Sequence, residues 1–188
     1  MLIKIGDLET CFTFTPLFFY DSYICFNPIK ASQLPSLRSS SLDSTSELAA
    51  KCKAYPQLRD ERCPEMPSEY LKYKTVLNFL VMLQDIADAP VTPCILSFLS
   101  GEYKTGAALV SSITSMGEDI FALKYRAIAA VHVGGGNSWF GLDVTYHPSR
   151  FVTAEQYRLF DKLHDTLKAA HEANLIIGDE SIADEASF

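Results

Sequence analysis

No stretch of this sequence approaches the roughly 20 consecutive apolar residues that cross a bilayer as a helix. The opening residues, MLIKIGDLET, lack the basic-then-apolar order of a secretory signal, so no membrane association is expected. Cysteine is sparse and poorly spaced for metal: Cys11, Cys25, Cys52, Cys63 and Cys94 are odd in number and include no C-x-x-C pair. Cys52 and Cys63 invite a zinc reading, but neither a second close pair nor a nearby histidine accompanies them. Ordinary thiols in a reduced, cytoplasmic setting are expected, with no metal and no cofactor. Catalytic signatures are missing as well. Gly134-Gly135-Gly136 lacks the Lys-Ser/Thr of a phosphate loop, and there is no G-x-G-x-x-G, G-x-S-x-G or H-E-x-x-H. The chain does not read as an enzyme.

Positive charge is also short, with 16 Lys and Arg against 23 Asp and Glu, a net charge of −7. Phosphate affinity comes from Lys and Arg, so an acidic total weakens a nucleic-acid reading. A local basic face would restore it. The deficit is uneven, because residues 174–188 carry Asp179, Glu180, Asp184 and Glu185 and no base. They have no hydrophobic period either, and read as a flexible acidic tail.

What is present is ordinary globular material, 48% hydrophobic and 12% aromatic in 188 residues. That is enough for one domain with a real core, expected over 1–173. Residues 1–27 are rich in β-favouring side chains and read as one or two strands. Residues 28–68 change character, with Pro28, Pro35, Pro56, Pro64 and Pro67 among serines and charges. They read as a long connection with a short helix near Ser46–Ala54, and so long a connection in a compact domain is expected to be functional or partly mobile.

From Tyr70 to His147 the pattern is clearer. YLKYKTVLNFLVML places Leu71, Tyr73, Leu77, Phe79, Val81 and Leu83 at period two, and Thr92–Leu99 is a second apolar run. In SGEYKTGAALVSSITSMG, Tyr103, Ala107, Val110, Ile113 and Met116 take helical spacing, with Ser100 as N-cap and Gly117 as stop. DIFALKYRAIAAVHV and SWFGLDVTYH then alternate again around a glycine turn. The order is strand, strand, helix, strand, strand. Near the end, Thr153 and Gln156 form a capping box for a helix whose stripe is Tyr157, Phe160, Leu163, Leu167 and Ala170. His164 and His171 flank that stripe.

Basic and aromatic residues are interleaved on these strands. Lys72 and Lys74 follow Tyr70, Lys124 and Arg126 sit on the less apolar side of their strand, and Tyr103 and Lys104 open the central helix. Trp139 alternates against Phe140, Leu142, Val144 and Tyr146, which makes it a candidate exposed ring. Cations tracking phosphates and rings stacking on bases are what a single strand needs. A solvated sheet face is the plain alternative. Asp143 is expected to pair with Lys124 or Arg126 across the sheet, and His132 and His147 to be solvated strand-end histidines.

A helix between the third and fourth of five strands is the arrangement of the OB-fold. The ending GDESIADEASF is similar to the acidic, aromatic-terminated tail of single-stranded DNA-binding proteins of bacteria and bacteriophages. The blocks PVTPCILSFLSGEYKTGAAL, DIFALKYRA and WFGLDV resemble the bacteriophage members more loosely. The resemblance implies a mainly β protein with α, an OB-fold-like five-stranded barrel with a long N-terminal insertion and a C-terminal helix. It implies sequence-independent single-stranded DNA binding in replication or recombination, inside the host cell if phage-encoded. Replication or recombination proteins would be recruited through Asp179, Glu180, Asp184, Glu185 and Phe188. Assembly with further copies of the chain is compatible with it. The alternative is a non-catalytic interaction or inhibitory module without nucleic-acid binding; an enzyme built from scattered His and acidic residues is the third option.

Overall fold

The computed structural model describes residues 11–28, 34–54, 61–84, 93–134 and 136–173. The tail, residues 174–188, lies outside them. The described residues are mainly β, with three α-helices among them. Strands β1 (Cys11–Phe26), β2 (Leu37–Ser41), β5 (Lys72–Gln84), β6 (Pro93–Leu99), β7 (Leu123–Gly134) and β8 (Asn137–Phe151) form one antiparallel sheet. Strands β3 (Arg62–Cys63) and β4 (Met66–Tyr70) form a separate short hairpin. Helices α1 (Glu47–Ala54), α2 (Tyr103–Met116) and α3 (Ala154–Glu172) complete the set. The large sheet runs β6-β5-β1-β7-β8, with β2 also paired to β1. It holds six strands and is not closed into a barrel, which corrects the five-stranded barrel expected from the sequence.

The residues group into two compact units. One takes the described residues up to Phe19 and those from Asn78 to Ala169; the other takes the described residues of Tyr20–Leu77 and those from Ala170. In the first unit, Leu17, Met82, Phe121 and Phe160 are buried together, with Val152, Leu163 and Leu167 packed against them. Of the stripe expected on α3, Phe160, Leu163 and Leu167 therefore face inward, while Tyr157 is 37% exposed. The capping box forms: the Thr153 backbone N–H donates to Gln156 Oε1 at 3.0 Å and the Gln156 N–H to Thr153 Oγ1 at 3.2 Å. His164 flanks the stripe, its Nδ1 2.7 Å from the Leu17 carbonyl oxygen.

Helix α2 is present, but its buried residues are Gly106, Leu109 and Ile113, one position round from most of the expected stripe. Gly106 sets that rotation, since a Cβ there would lie 2.9 Å from Phe98 Cβ. Ser100 is not its N-cap. It takes φ 54°, in the left-handed region, and starts a 3-10 turn, Ser100–Glu102, ahead of the helix. Gly117 ends the helix as expected, at φ 67°.

The second unit holds most of the long connection, where the short helix expected near Ser46–Ala54 is α1, while β2, β3, β4 and a small core were not expected. The Ser46 hydroxyl caps α1 by accepting the Ala49 N–H at 3.1 Å. Tyr23, Cys25, Ala49, Cys52, Cys63, Leu71 and Tyr73 form a small buried core, with Leu34, Leu48 and Met66 around it. Two ion pairs fasten the rim, Arg38 to Glu65 at 2.8 Å and Lys51 to Glu61 at 2.9 Å. The Arg38 hydrogen bond, helped by one from the Cys63 thiol, holds the Glu65 carboxyl down at about 2. Burial, with Glu61 nearby, pushes the Tyr73 phenol up.

Candidate nucleic-acid interface

The eight residues expected to contact DNA divide between the two units, Tyr70, Lys72 and Lys74 in one and Tyr103, Lys104, Lys124, Arg126 and Trp139 in the other. In the first of these groups, alternation settles the facing. Leu71 and Tyr73 are buried in the small core, which turns Tyr70 and Lys72 outward and leaves Lys74 half-buried. The Arg62 guanidinium lies over the Tyr70 ring, 4.7 Å from its centroid.

In the other group the β7–β8 ribbon does the positioning. Its register pairs Arg126 with Thr145, Ile128 with Asp143, Ala130 with Gly141 and His132 with Trp139. Residues directly opposite share a face, so Arg126 and Trp139 lie on one side of the ribbon, about 20 Å apart along the strand. Arg126 is exposed, and its guanidinium donates to Cys11 Sγ at 3.0 Å. Lys124 is half-buried and falls in the register irregularity between Leu123 and Tyr125. Tyr103 and Lys104 are exposed on the first turn of α2.

Trp139 is not the open ring its alternation suggests. It is half-buried, and its indole N–H donates to Glu102 Oε1 at 2.7 Å. The ring lies against Gly101, where a Cβ would come within 2.9 Å of it. Glu102 Oε2 accepts the backbone N–H of Leu142 at 3.1 Å. The carboxylate sits over Gly141, and any side chain there would strike it. The opposite face of the ribbon carries the exposed apolar groups: Phe140 is 74% exposed and is paired with Val131, 55% exposed, while Val133 is 78% exposed.

His132 completes a cluster that the sequence did not disclose. Its Nδ1 lies 3.0 Å from Glu102 Oε1 and its Nε2 3.2 Å from Asp143 Oδ1. Asp143 therefore engages His132, which corrects the expected pairing with Lys124 or Arg126. His132 is correspondingly held between carboxylates, its side chain 21% exposed, and is not a solvated strand end. Both contacts are hydrogen bonds only when the ring carries two protons. With a carboxylate at each nitrogen, the ring offers neither to a bound molecule in this arrangement. Its effect is to fasten the 3-10 turn to the ribbon. Three residues more than 30 positions apart in part, one from a turn and two from strands, give no spacing signal; only the β7–β8 register could have suggested the His132–Trp139 pairing. His147 is held locally, its Nδ1 accepting the Ser149 N–H at 3.1 Å.

Charge on this face is consequently mixed, with Arg126 at one end and the carboxylates of Asp143 and Glu102 toward the other. Among the described residues, no group of three or more His, Cys, Asp or Glu side chains is arranged to hold a metal ion. No described helix is long and apolar enough to cross a membrane. No protein-family model matches the sequence, and comparison with curated proteins and with solved structures gives no match.

Proposed function

We propose that this protein binds single-stranded DNA without sequence preference and without catalysis, in phage-type replication or recombination. The observation that carries the reading is the strand order. Numbering the five long strands β1, β5, β6, β7 and β8 from one to five, the sheet runs 3-2-1-4-5, with α2 between the third and fourth. A five-stranded Greek-key barrel of the OB type gives that order when it is opened between its third and fifth strands, and such barrels are often partly open. The exposed cation Lys72 and ring Tyr70 of one unit, and the exposed cations Lys104 and Arg126 and ring Tyr103 of the other, are proposed to supply phosphate and base contacts. Trp139 enters with its half-exposed ring, and Lys74 and Lys124 with half-buried stems. Asp179, Glu180, Asp184, Glu185 and Phe188 are proposed to recruit partner proteins, on the sequence resemblance alone.

A second reading, a protein-docking module without nucleic-acid binding, is favoured by the apolar face of Val131, Val133 and Phe140. Anisotropy of a labelled single-stranded oligonucleotide and of its matching duplex separates the two. The first reading expects much tighter single-strand binding, weakening with salt at a log–log slope of about −0.7 per phosphate contact. No binding at low salt, or salt-insensitive binding equal to that of duplex, defeats it.

A further inference from the structure

The β3–β4 hairpin lies largely in the long connection and packs Cys63 and Met66 on the small core, and its outward chemistry is specific. Arg62 and Tyr70 are cross-strand partners, and the guanidinium lies over the ring at 4.7 Å. Arg62 Nη1 also donates to the Pro67 carbonyl oxygen at 2.7 Å, which fixes the plane of the guanidinium. Among the described residues, Arg62 is held by this carbonyl and this ring and by no carboxylate. The nearby acids Glu61 and Glu65 are engaged by Lys51 and Arg38. Tyr70, the last residue of β4, is 39% exposed, and Lys72, the first residue of β5, is exposed two residues on, with the buried Leu71 between them. Leu71 N–H donates to the Glu61 carbonyl at 2.9 Å, so the chain between ring and lysine is tied to the hairpin.

A planar cation over an aromatic ring, with a flexible ammonium two residues along the chain, suits a nucleotide. Bases stack on aromatic rings and on guanidinium planes, and an ammonium meets phosphate as a point charge. We propose that Arg62 and Tyr70 form a stacking site for one base of a single strand, with Lys72 on an adjoining phosphate. The connection is then part of the binding surface and not a spacer. This rests on the single-strand reading above, and it adds Arg62 and the β3–β4 hairpin as recognition elements.

The test uses the full chain and a fluorescein-labelled oligothymidylate, with affinity measured across a salt series. Tyr70→Ala is expected to weaken binding roughly ten-fold, within the range for loss of one stacked base. Arg62→Ala is expected to weaken it similarly and to reduce the salt slope by less than the roughly 0.7 of a phosphate contact, because its part is stacking. Lys72→Ala is expected to reduce the slope by about that 0.7. Arg62→Lys keeps the charge and loses the plane, so its affinity falls several-fold with an unchanged slope. That conservative variant decides the matter if an alanine variant melts early. Variants that melt and bind like the unaltered protein overturn the stacking site and leave the general reading standing. Failure of the unaltered protein to bind the oligonucleotide overturns both.

Discussion

Glu102 accepts from the Trp139 indole and the Leu142 backbone and lies 3.0 Å from His132 Nδ1, and no other described carboxylate joins the 3-10 turn to the β7–β8 ribbon in this way. Replacing it with alanine leaves an indole N–H and a backbone N–H without their acceptor, each half-buried. The expected loss is about 1–3 kcal/mol, since a donor stripped of its partner bears its desolvation penalty. Denaturant unfolding followed by tryptophan emission measures this, and an unchanged midpoint would mean that water replaces the carboxylate. Trp139 is the only tryptophan, so emission reports on this site alone. Alternation located Trp139 on the correct side of β8, the side away from Phe140. It gave no view of what lies over that side, and the covering groups come from Gly101 and Glu102, nearly 40 residues earlier. Exposure depends on packing between distant segments, which a period of two does not encode.

Elements with a strong local signal were legible for a physical reason. Helix α3 carries its own start signal and a continuous stripe, so neither needs tertiary information. Thr153→Ala removes the acceptor for the Gln156 N–H and is expected to cost about 1 kcal/mol, as N-cap deletions generally do. Thermal unfolding should show the loss, and Thr153→Ser should restore most of it. Should the alanine variant melt unchanged, the cap would be dispensable to a helix already held by Phe160, Leu163 and Leu167. The strands β5, β7 and β8 were legible from alternation, and β6 from an apolar run. The strands β2, LRSSS, and β4, MPSEY, were not. They are short and largely exposed, with no residue fully buried and Met66 alone packed against the small core, so neither shows an alternating buried face and both depend on backbone pairing with β1 and β3. The same gap hid the small core, whose three cysteines read as scattered thiols until Cys25, Cys52 and Cys63 were brought together by those pairings. Helix α2 was found with its face rotated, because glycine at 106 registers in a pattern as a missing side chain and here marks the closest approach of Phe98.

At the scale of the whole molecule, net charge opposes the proposed ligand. The chain carries −7, and removing residues 178–188 deletes Asp179, Glu180, Asp184 and Glu185 and no base, which brings it to −3. A polyanion attached to the same chain as the binding residues acts on DNA in two ways. It raises the electrostatic work of bringing in a second polyanion. Being tethered, it also competes for Lys and Arg at an effective concentration that can reach about millimolar. Both effects weaken binding, and both are screened over about 10 Å at 0.1 M salt. The truncated protein is therefore expected to bind single strands more tightly than the full chain at low salt, with the gap closing as salt rises. Deleting Phe188 alone removes no side-chain charge and should leave DNA affinity nearly unchanged, while abolishing capture of a purified replication protein that reads the terminal ring. Anisotropy at two salt concentrations and a pull-down with each variant make the comparison. Equal affinities of truncated and full-length protein at low salt would show that the acidic residues act neither as competitor nor as a charge barrier, and the case for DNA binding would then rest on the strand order and the exposed cations and rings alone.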